Sequence, residues 1–296
     1  MSYKVLTTAD WHLRYTVPSC IDATPSEWMD IQRAALNKIK EIAIEHKVKA
    51  VYVGGDLYHN DEVASFECIQ LVQDLAQELY NNGILFFIFA GNHDLKFHTS
   101  SNLYRSAIGV TFKSKCVLDM TGPESKIKGC NFDIEDYGNA ENIFKHTLCI
   151  PLDEKTEFID CETPQTLLEK YSSAKRIFTG DYHKNFYFEQ NGRIVVNSGC
   201  LTKQTVDFED YVTGVYICDL EGTSEDDYWI PVNVEQKFNQ NGQIKKEIDK
   251  SVENFATSIK KESITLDFIS SLKNELPAHE KPVQDKVNEW ICQIGQ

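Results

Sequence analysis

The stretch Lys49-Ala50-Val51-Tyr52-Val53-Gly54-Gly55-Asp56 places two glycines and an aspartate directly after a short apolar run. The run has the length and the valine content of a buried strand. The glycines let the backbone turn tightly and approach its neighbours closely, which would present the Asp56 carboxylate at the end of that strand. The sequence therefore predicts a strand that leads into a functional loop.

Three further polar motifs have the same position, directly after an apolar, strand-like run. They are Asp10-Trp11-His12, Gly91-Asn92-His93-Asp94 and Gly180-Asp181-Tyr182-His183. One such motif alone is typical of a helix cap or a solvated loop. The occurrence of all four motifs in this order is not explained in that way. Because carboxylate, imidazole and amide oxygen can hold two divalent cations about 3.5–4 Å apart, the motifs together predict a two-metal phosphoesterase site.

The first part of the chain alternates between strands and helices. Strands are predicted at 4–8, 49–53 and 84–90, with helices at 26–46 and 61–80 between them. This order predicts a parallel sheet with the motifs at the carboxyl ends of its strands.

From about residue 115 the pattern changes to short strand-like runs, interrupted by one helix near 164–171. The runs lie around 117, 127–132, 143–148, 176–179, 186–188, 193–196 and 212–220. They predict a second, largely antiparallel sheet that faces the first. Beyond a polar break at 222–227, candidate helices lie at about 246–261, 264–275 and 282–294.

Length and composition fit one large α/β domain with a small appendage, because 296 residues with 42% hydrophobic content can bury a substantial core. No segment approaches the roughly 18 apolar residues of a membrane span. The N-terminus lacks the features of a secretory signal. The nine cysteines have no C-x-x-C spacing and fit a reducing compartment. We therefore expect a cytoplasmic protein that does not associate with membranes.

The net charge of −15 is unusual for a protein that handles nucleic acid. Residues 233–296 hold 9 Lys/Arg against 10 Asp/Glu, so nearly all of the excess, −14, lies in residues 1–232. Part of this charge could belong to metal ligands, and two bound dications would add positive charge where a substrate phosphate must lie. The acidic surface argues against tight, metal-free binding of DNA.

The order D-x-H, GGD, GNHD and a late G-x-x-H resembles the calcineurin-like metallophosphoesterase superfamily over roughly residues 3–220. Gly55-Asp56-Leu57-Tyr58-His59 and Gly91-Asn92-His93-Asp94 are similar to its nuclease branch, typified by the DNA repair exonuclease subunit SbcD; its phosphatases usually have GDxxDR and GNHE. The resemblance implies a four-layer α/β/β/α sandwich with a small helical C-terminal extension. It also implies metal-dependent cleavage of DNA phosphodiester bonds in repair or recombination.

The resemblance further implies roles for individual residues. His93 would assist departure of the leaving oxygen, and His59 maps onto a histidine that helps to position the DNA phosphate. His146 would bind the second metal, although a hydrogen-bonded histidine near a strand end is the alternative. The predicted metal ligands are Asp10, His12, Asp56, Asn92, His146, Asp181 and His183, with Asp56 bridging two ions, most simply Mn2+ or else Mg2+.

Asp181 departs from the pattern of the superfamily, whose late motif usually reads G-H-x-H. Two interpretations stay open. Asp181 could ligate the second metal as a carboxylate, which would favour manganese or magnesium over zinc. Alternatively, the second metal site is weakened by the change.

Two other groups of residues also allow two readings. The aromatic residues Trp11, Tyr15 and Tyr58 could stack on bases, although core packing is the commoner fate of such side chains. The turn at 196–200 could line the site or be an ordinary turn.

The partners predicted from the resemblance are DNA and an SMC-type ATPase of the SbcC kind, together with pairing of two chains through the N-terminal domain. Residues 1–222 would form the nuclease domain, and 223–296 a cap and helical extension. The ATPase-docking face would include Phe255, Ile259, Leu266, Phe268, Ile269, Leu272, Trp290 and Ile294, unless these residues pack on their own domain. The rival functions are a phosphatase or phosphodiesterase for small molecules or nucleotides, and a non-catalytic binding subunit.

Overall fold

The computed structural model describes residues 2–60, 65–95, 100–121, 141–151 and 161–239, with single positions between 277 and 288. The chain divides into two compact units. The larger comprises Met1–Val17, Ala23–Lys203 and Asp210–Gln236, and contains all the motifs of the predicted site. The smaller comprises Pro18–Asp22, Gln204–Glu209 and Lys237–Gln296. Within the smaller unit, Ile21 pairs with Phe238 in an isolated antiparallel bridge.

Ten strands and four α-helices form in the described residues. The strands are β1 (Lys4–Thr8), β2 (Ala50–Val53), β3 (Leu85–Ile88), β4 (Leu118–Asp119), β5 (Asn142–His146), β6 (Arg176–Gly180), β7 (Phe186–Gln190), β8 (Arg193–Asn197), β9 (Gly214–Asp219) and β10 (Tyr228–Pro231). The helices are α1 (Pro25–Glu45), α2 (Phe66–Asn81), α3 (Ala107–Thr111) and α4 (Pro164–Lys170). Most of these bounds lie within a few residues of the prediction.

The first sheet has six strands in the order β10-β9-β1-β2-β3-β4. Its β1, β2, β3 and β4 are parallel, as the strand–helix alternation predicts, whereas β9 pairs antiparallel with β1 and with β10. The prediction had grouped the runs at 117 and 212–220 with the second sheet, and this was wrong. The apolar pattern of a strand indicates how buried the strand is, but it does not determine which sheet the strand joins.

The second sheet has four strands in the order β5-β6-β8-β7. The prediction of a largely antiparallel sheet was wrong here too, because β5 with β6 and β6 with β8 are parallel pairs. Helix α4 connects β5 to β6 and supplies the crossover that parallel neighbours require. Only β7 and β8 form an antiparallel hairpin, whose two-residue turn has left-handed φ at Asn191 and Gly192.

Three apolar clusters hold these elements together. One packs α1 and α2 on one face of the first sheet, and another packs α4 on one face of the second sheet. The third lies between the two sheets and includes Tyr52, Phe87, Phe144, Phe178 and Tyr216. The result is the mixed α/β fold that the sequence predicted, with two sheets flanked by helices.

The chemistry of α1 shows why its first turn is well defined. Thr24 caps the helix in a reciprocal capping box with Glu27, and Pro25 follows at the first helical position. The observed start therefore lies one residue before the predicted one. Among the described residues, no helix is long and apolar enough to cross a membrane.

Several predicted features lie outside the described residues. These are the strand at 127–132, the helices at 246–261 and 264–275, and every residue of the predicted ATPase-docking face. In the third predicted C-terminal helix, positions 282, 284, 285 and 288 are helical.

A buried ion pair joins β6 to the segment before β10. Arg176 and Asp227 have side-chain exposures of 3% and 0%, and the Arg176 Nε lies 2.8 Å from an Asp227 carboxylate oxygen. Burial raises the pKa of Asp227, and Arg176 counteracts that rise. Removing only the arginine would leave a buried carboxylate without its partner.

We expect Arg176→Met to lower the free energy of unfolding by about 3–5 kcal/mol, because an uncompensated buried charge is costly. Urea unfolding followed by circular dichroism measures this loss. Lys38→Met, which breaks the exposed Lys38–Glu41 pair, is the matched control and should cost about 0.5 kcal/mol or less. Equal losses in the free energy of unfolding would contradict the description of Arg176–Asp227 as a buried ion pair.

Candidate metal centre

The loops after β1 and β2 run side by side and continue the pairing of those strands. The Gly54 N–H donates to the Thr8 carbonyl at 2.7 Å, that of Asp10 to Gly55 at 3.0 Å, and that of His12 to Asp56 at 2.9 Å. Asp10, His12 and Asp56 all have left-handed φ, between 44° and 51°. Such strained backbone is concentrated at functional sites. The paired loops therefore hold three predicted ligands in register.

One cluster of ligand atoms comes from Asp10, His12 and His183, which all lie within 4.8 Å of one another. The His12 and His183 Nε2 atoms are 3.0 Å apart. Burial is the main cause that lowers the pKa of both histidines, and neighbouring histidines lower that of His12 further. Both rings therefore favour the neutral form, which is the form that ligates metals.

A second cluster comes from Asp56, His146 and Asp181. The His146 Nε2 lies 2.9 Å from the Asn92 Oδ1, 3.5 Å from the Asp56 Oδ1 and 3.8 Å from the Asp181 Oδ1. Its Nδ1 lies 2.8 Å from the Gly54 carbonyl oxygen, which must accept, so the hydrogen resides on Nδ1 and Nε2 faces the oxygens. His146 is therefore oriented as a ligand would be, and the structure brings Asn92 and Asp181 to it.

Asp56 belongs to the second cluster and also faces the first. Its Oδ1 is near His146, while its Oδ2 lies 3.8 Å from the His12 Nε2. The Oδ2 atom is buried and has no hydrogen-bond partner in the described part of the chain. A buried oxygen without a partner is costly unless something else satisfies it. One carboxylate thus faces two sets of ligands.

The electrostatics of these carboxylates fit cation binding. Burial raises the pKa of Asp10 well above its usual range, and the nearby Asp56 charge raises it further. Burial also raises the pKa of Asp56. Divalent cations would reverse this penalty by supplying the missing countercharge. Together with the unsatisfied Asp56 oxygen, the donor set of carboxylate, amide and imidazole fits two divalent ions.

His93 and His59 lie beside the first cluster. The His93 ring is edge-on to that of His12, with centroids 4.9 Å apart, and stacks at 6.0 Å on His59. His93 is exposed, its backbone N–H donates to the Asp56 Oδ1 at 3.0 Å, and its Nδ1 lies 3.0 Å from the His59 carbonyl oxygen. The predicted catalytic histidines therefore border the ligand clusters on an accessible side.

His59 makes a contact that the sequence did not predict. Its Nε2 lies 3.0 Å from the Arg14 Nη1. Burial and the Arg14 charge lower the pKa of His59 to about 4.

Two of the motif glycines are required by close packing. A Cβ on Gly55, whose φ is +107°, would overlap the His146 ring, and one on Gly91 would overlap the Asp56 carboxylate and amide nitrogen. The glycines of GGD and GNHD therefore make room for the ligands of the neighbouring loop.

Asp94 ties these two loops together. Its buried carboxylate accepts the backbone N–H groups of Leu57, Tyr58 and Gly91 at 3.0, 2.8 and 3.0 Å. Burial raises the pKa of Asp94 to about 7, and the Asp56 charge adds to the rise. Asp94 had no predicted role beyond its place in the GNHD motif of the family resemblance. Its position three residues after a glycine in a tight loop was the available signal for this bracing role.

Asn197, the last residue of β8, holds the loop that carries His183. Its side-chain amide donates to the carbonyl oxygens of Tyr182 and Lys184, the second at 2.7 Å. The Cys200 N–H donates to the His183 carbonyl oxygen at 2.9 Å. The turn at 196–200 therefore supports the site. Of the aromatic residues, Trp11 and Tyr58 are fully buried in the core, whereas Tyr15 is 44% exposed.

Comparison with known proteins identifies the class. The model of the calcineurin-like phosphoesterase family matches residues 3–229. This chain belongs to that family, so it is a metal-dependent phosphoester hydrolase by class.

The solved structures that resemble it are distant. The protein TT1561 of Thermus thermophilus is 11% identical, with a TM-score of 0.46, over 79% of this chain and 100% of that one. A second solved structure is 13% identical, with a TM-score of 0.47, over 79% of this chain and 100% of that one. Among curated proteins, none matches.

We expect Asp94→Asn to weaken both the fold and the metal centre, because one carboxylate oxygen that accepts backbone N–H groups becomes an amide donor. The predicted loss is about 1–3 kcal/mol in the free energy of unfolding and about 10–100-fold in Mn2+ affinity. Urea unfolding and calorimetric Mn2+ titration measure the two effects. Asp74→Asn, on the exposed face of α2, is the control and should change neither. Unaltered Mn2+ affinity in Asp94→Asn would contradict the bracing role.

Proposed function

We propose that this protein is a metal-dependent DNA nuclease of the SbcD type, which hydrolyses phosphodiester bonds in DNA repair or recombination. The observation that supports this best is the stacked pair His59 and His93 beside the ligand cluster of His12. GDLYH and GNHD supply these histidines, and they are the motifs that separate the nuclease branch from the phosphatases in the resemblance described above. The family membership supplies the reaction class.

In this proposal Asp10, His12 and His183 would hold one ion, Asn92, His146 and Asp181 would hold the other, and Asp56 would contribute to both. Two divalent cations, when bound, neutralise charge on the phosphate and lower the pKa of a water molecule. The chain's own contribution is to fix the ligands, which it does through the paired loops and the Asp94 brace.

The hydrogen bond of His93 determines which of its atoms can act. Because the His59 carbonyl oxygen only accepts, the His93 Nδ1 carries a hydrogen in that contact. The Nε2 atom is then the one that transfers a proton to the leaving oxygen. His59, which stacks on His93, lies where it would position the phosphate.

The second ligand set favours manganese or magnesium. It offers oxygens from Asp56, Asn92 and Asp181 and a single nitrogen from His146. Oxygen-rich sites suit Mg2+ and Mn2+, whereas imidazole suits zinc. The Asp181 Oδ1 lies 3.8 Å from the His146 Nε2, which supports the first interpretation, that Asp181 ligates the second metal. We propose Mn2+ as the working ion, with Mg2+ as the substitute.

The proposed partners are DNA and an SMC-type ATPase of the SbcC kind, which would dock on the C-terminal extension. Pairing of two chains through the N-terminal domain, the division into residues 1–222 and 223–296, and a cytoplasmic location are further parts of the same proposal. They rest on the resemblance and on the sequence.

The net charge of −15 favours a second candidate function, a phosphodiesterase for small molecules or nucleotides. An acidic surface repels a long polyanion more than a small substrate. A non-catalytic subunit is a poorer proposal, because the ligand atoms of Asp10, His12 and His183 lie close together, as do those of Asp56, His146 and Asp181.

The test of the nuclease proposal is nucleotide release from linear single- and double-stranded DNA in Mn2+. We expect cleavage by the native protein and a loss of about 10²–10⁴-fold in rate for His93→Ala, because that variant lacks the general acid. His46→Ala, at the C-terminal cap of α1, is the control and should retain the native rate. Hydrolysis of p-nitrophenyl phosphate without cleavage of DNA would refute the nuclease and favour a phosphatase.

We expect Asp181→His to change metal preference rather than abolish binding. The second ligand set then gains a nitrogen and loses an anionic oxygen, so Zn2+ affinity rises relative to Mn2+ by about tenfold or more. Competitive calorimetric titration measures the ratio, with Asp207→His as the control outside the site. An unchanged ratio would show that Asp181 ligates neither ion.

A further inference from the structure

Arg14 comes two residues after the predicted ligand His12 and lies beside His59. The paired loops place it there, because the Leu13 N–H donates to the Leu57 carbonyl at 2.9 Å and the His59 N–H donates to the Leu13 carbonyl at 3.2 Å. The pairing of β1 with β2 thus continues through the loops that follow them, as far as Leu13 and His59. Residue 14 follows the last paired residue of its loop, next to His59.

Helix α1 fixes the backbone of Arg14 with two fully buried polar side chains. The Trp28 Nε1 and the Gln32 Nε2 donate to the Arg14 carbonyl oxygen at 3.0 and 2.9 Å, and the Arg14 N–H donates to the Gln32 Oε1 at 3.0 Å. Trp28 and Gln32 are both 0% exposed. Buried polar groups of this kind hold a residue in one place, so the position of Arg14 is preorganised.

The guanidinium of Arg14 contacts the edge of the His59 ring. Arginine only donates, so the His59 Nε2 accepts from the Arg14 Nη1 across their 3.0 Å separation. The neutral His59 ring then carries its hydrogen on Nδ1, which is the atom available to donate to a phosphate oxygen. Arg14 thereby orients His59 and places a permanent positive charge behind it.

This charge matters because the protein as a whole is acidic, with a net charge of −15. Arginine presents a planar fork of donors that matches the oxygens of a phosphate. Arg14 belongs to neither proposed ion site, but it contacts His59. The centroid of the His59 ring lies 5.7 Å from that of His12, a member of the first cluster. A phosphate that reacts at the ligand clusters would therefore lie close to His59, the ring that Arg14 contacts.

We propose that Arg14 binds a second phosphate of the substrate, the one next along the nucleic acid strand from the phosphate that reacts. This rests on the proposed nuclease function and gives its site a preference for chains over isolated diesters. Arg14 then adds more affinity for a substrate with a neighbouring phosphate on the side of His59 than for a substrate without one.

The test compares dinucleotides that differ by one phosphate. Calorimetry in Mn2+ gives the Kd of TpT, pTpT and TpTp, with His93→Ala in every protein so that the ligand is not consumed. We expect one terminal phosphate, at the 5′ or the 3′ end, to tighten binding by about tenfold. Arg14→Met should abolish that gain, so that its Kd values for TpT, pTpT and TpTp agree within about twofold of one another.

Two controls separate a phosphate contact from a structural role. Arg14→Lys retains the positive charge and should keep part of the gain, whereas Arg33→Met, which removes an exposed arginine of α1, should keep all of it. Thermal unfolding shows whether Arg14→Met is folded. If Arg14→Met is not folded, Arg14→Lys replaces it in the test. A terminal phosphate that then tightens binding as much as it does with Arg14 present counts against a bidentate contact of the guanidinium.

Two results overturn the proposal. The terminal phosphate gives no gain when Arg14 is present, or the gain survives in Arg14→Met. Failure of the nuclease proposal is seen separately, as the absence of DNA cleavage by the protein with native His93, since the dinucleotide experiment measures binding alone.

Discussion

The carboxylate of Asp56 is buried where the two ligand clusters meet, and the rest of the site is arranged around it. Burial raises its pKa, and one of its oxygens has no hydrogen-bond partner in the described residues. Keeping such a group ionised requires positive charge on both sides. The proximity of Gly91, the strained φ of Asp56 and the Asp94 brace all serve to hold this one carboxylate in place.

The structure brings the predicted ligand residues close together, whereas the predicted grouping and direction of several strands were wrong. Every predicted ligand lies at the end of a strand or within four residues after it, and the carboxyl ends of neighbouring strands share one edge of a sheet. Strand periodicity was therefore sufficient to bring Asp10, Asp56 and Asn92 together. His146 was predicted from the resemblance alone, and the structure places its Nε2 among the oxygens of the second cluster.

The features that the sequence did not predict depend on contacts between distant segments. The sheet that receives β9 is decided by packing against β1, which no local pattern encodes. Asp94 ends the GNHD motif and Arg14 lies two residues after D-x-H, but their roles arise from backbone groups on other loops and from the buried side chains of α1. Polar residues that brace a site look locally like ordinary loop residues.

The account depends most directly on two ions that share Asp56, and anomalous diffraction from crystals soaked in Mn2+ tests this. We expect two peaks about 3.5–4 Å apart, on either side of the Asp56 carboxylate. One peak should lie near Asp10, His12 and His183, and the other near Asn92, His146 and Asp181. A single peak, or two peaks that do not both contact Asp56, would contradict the account.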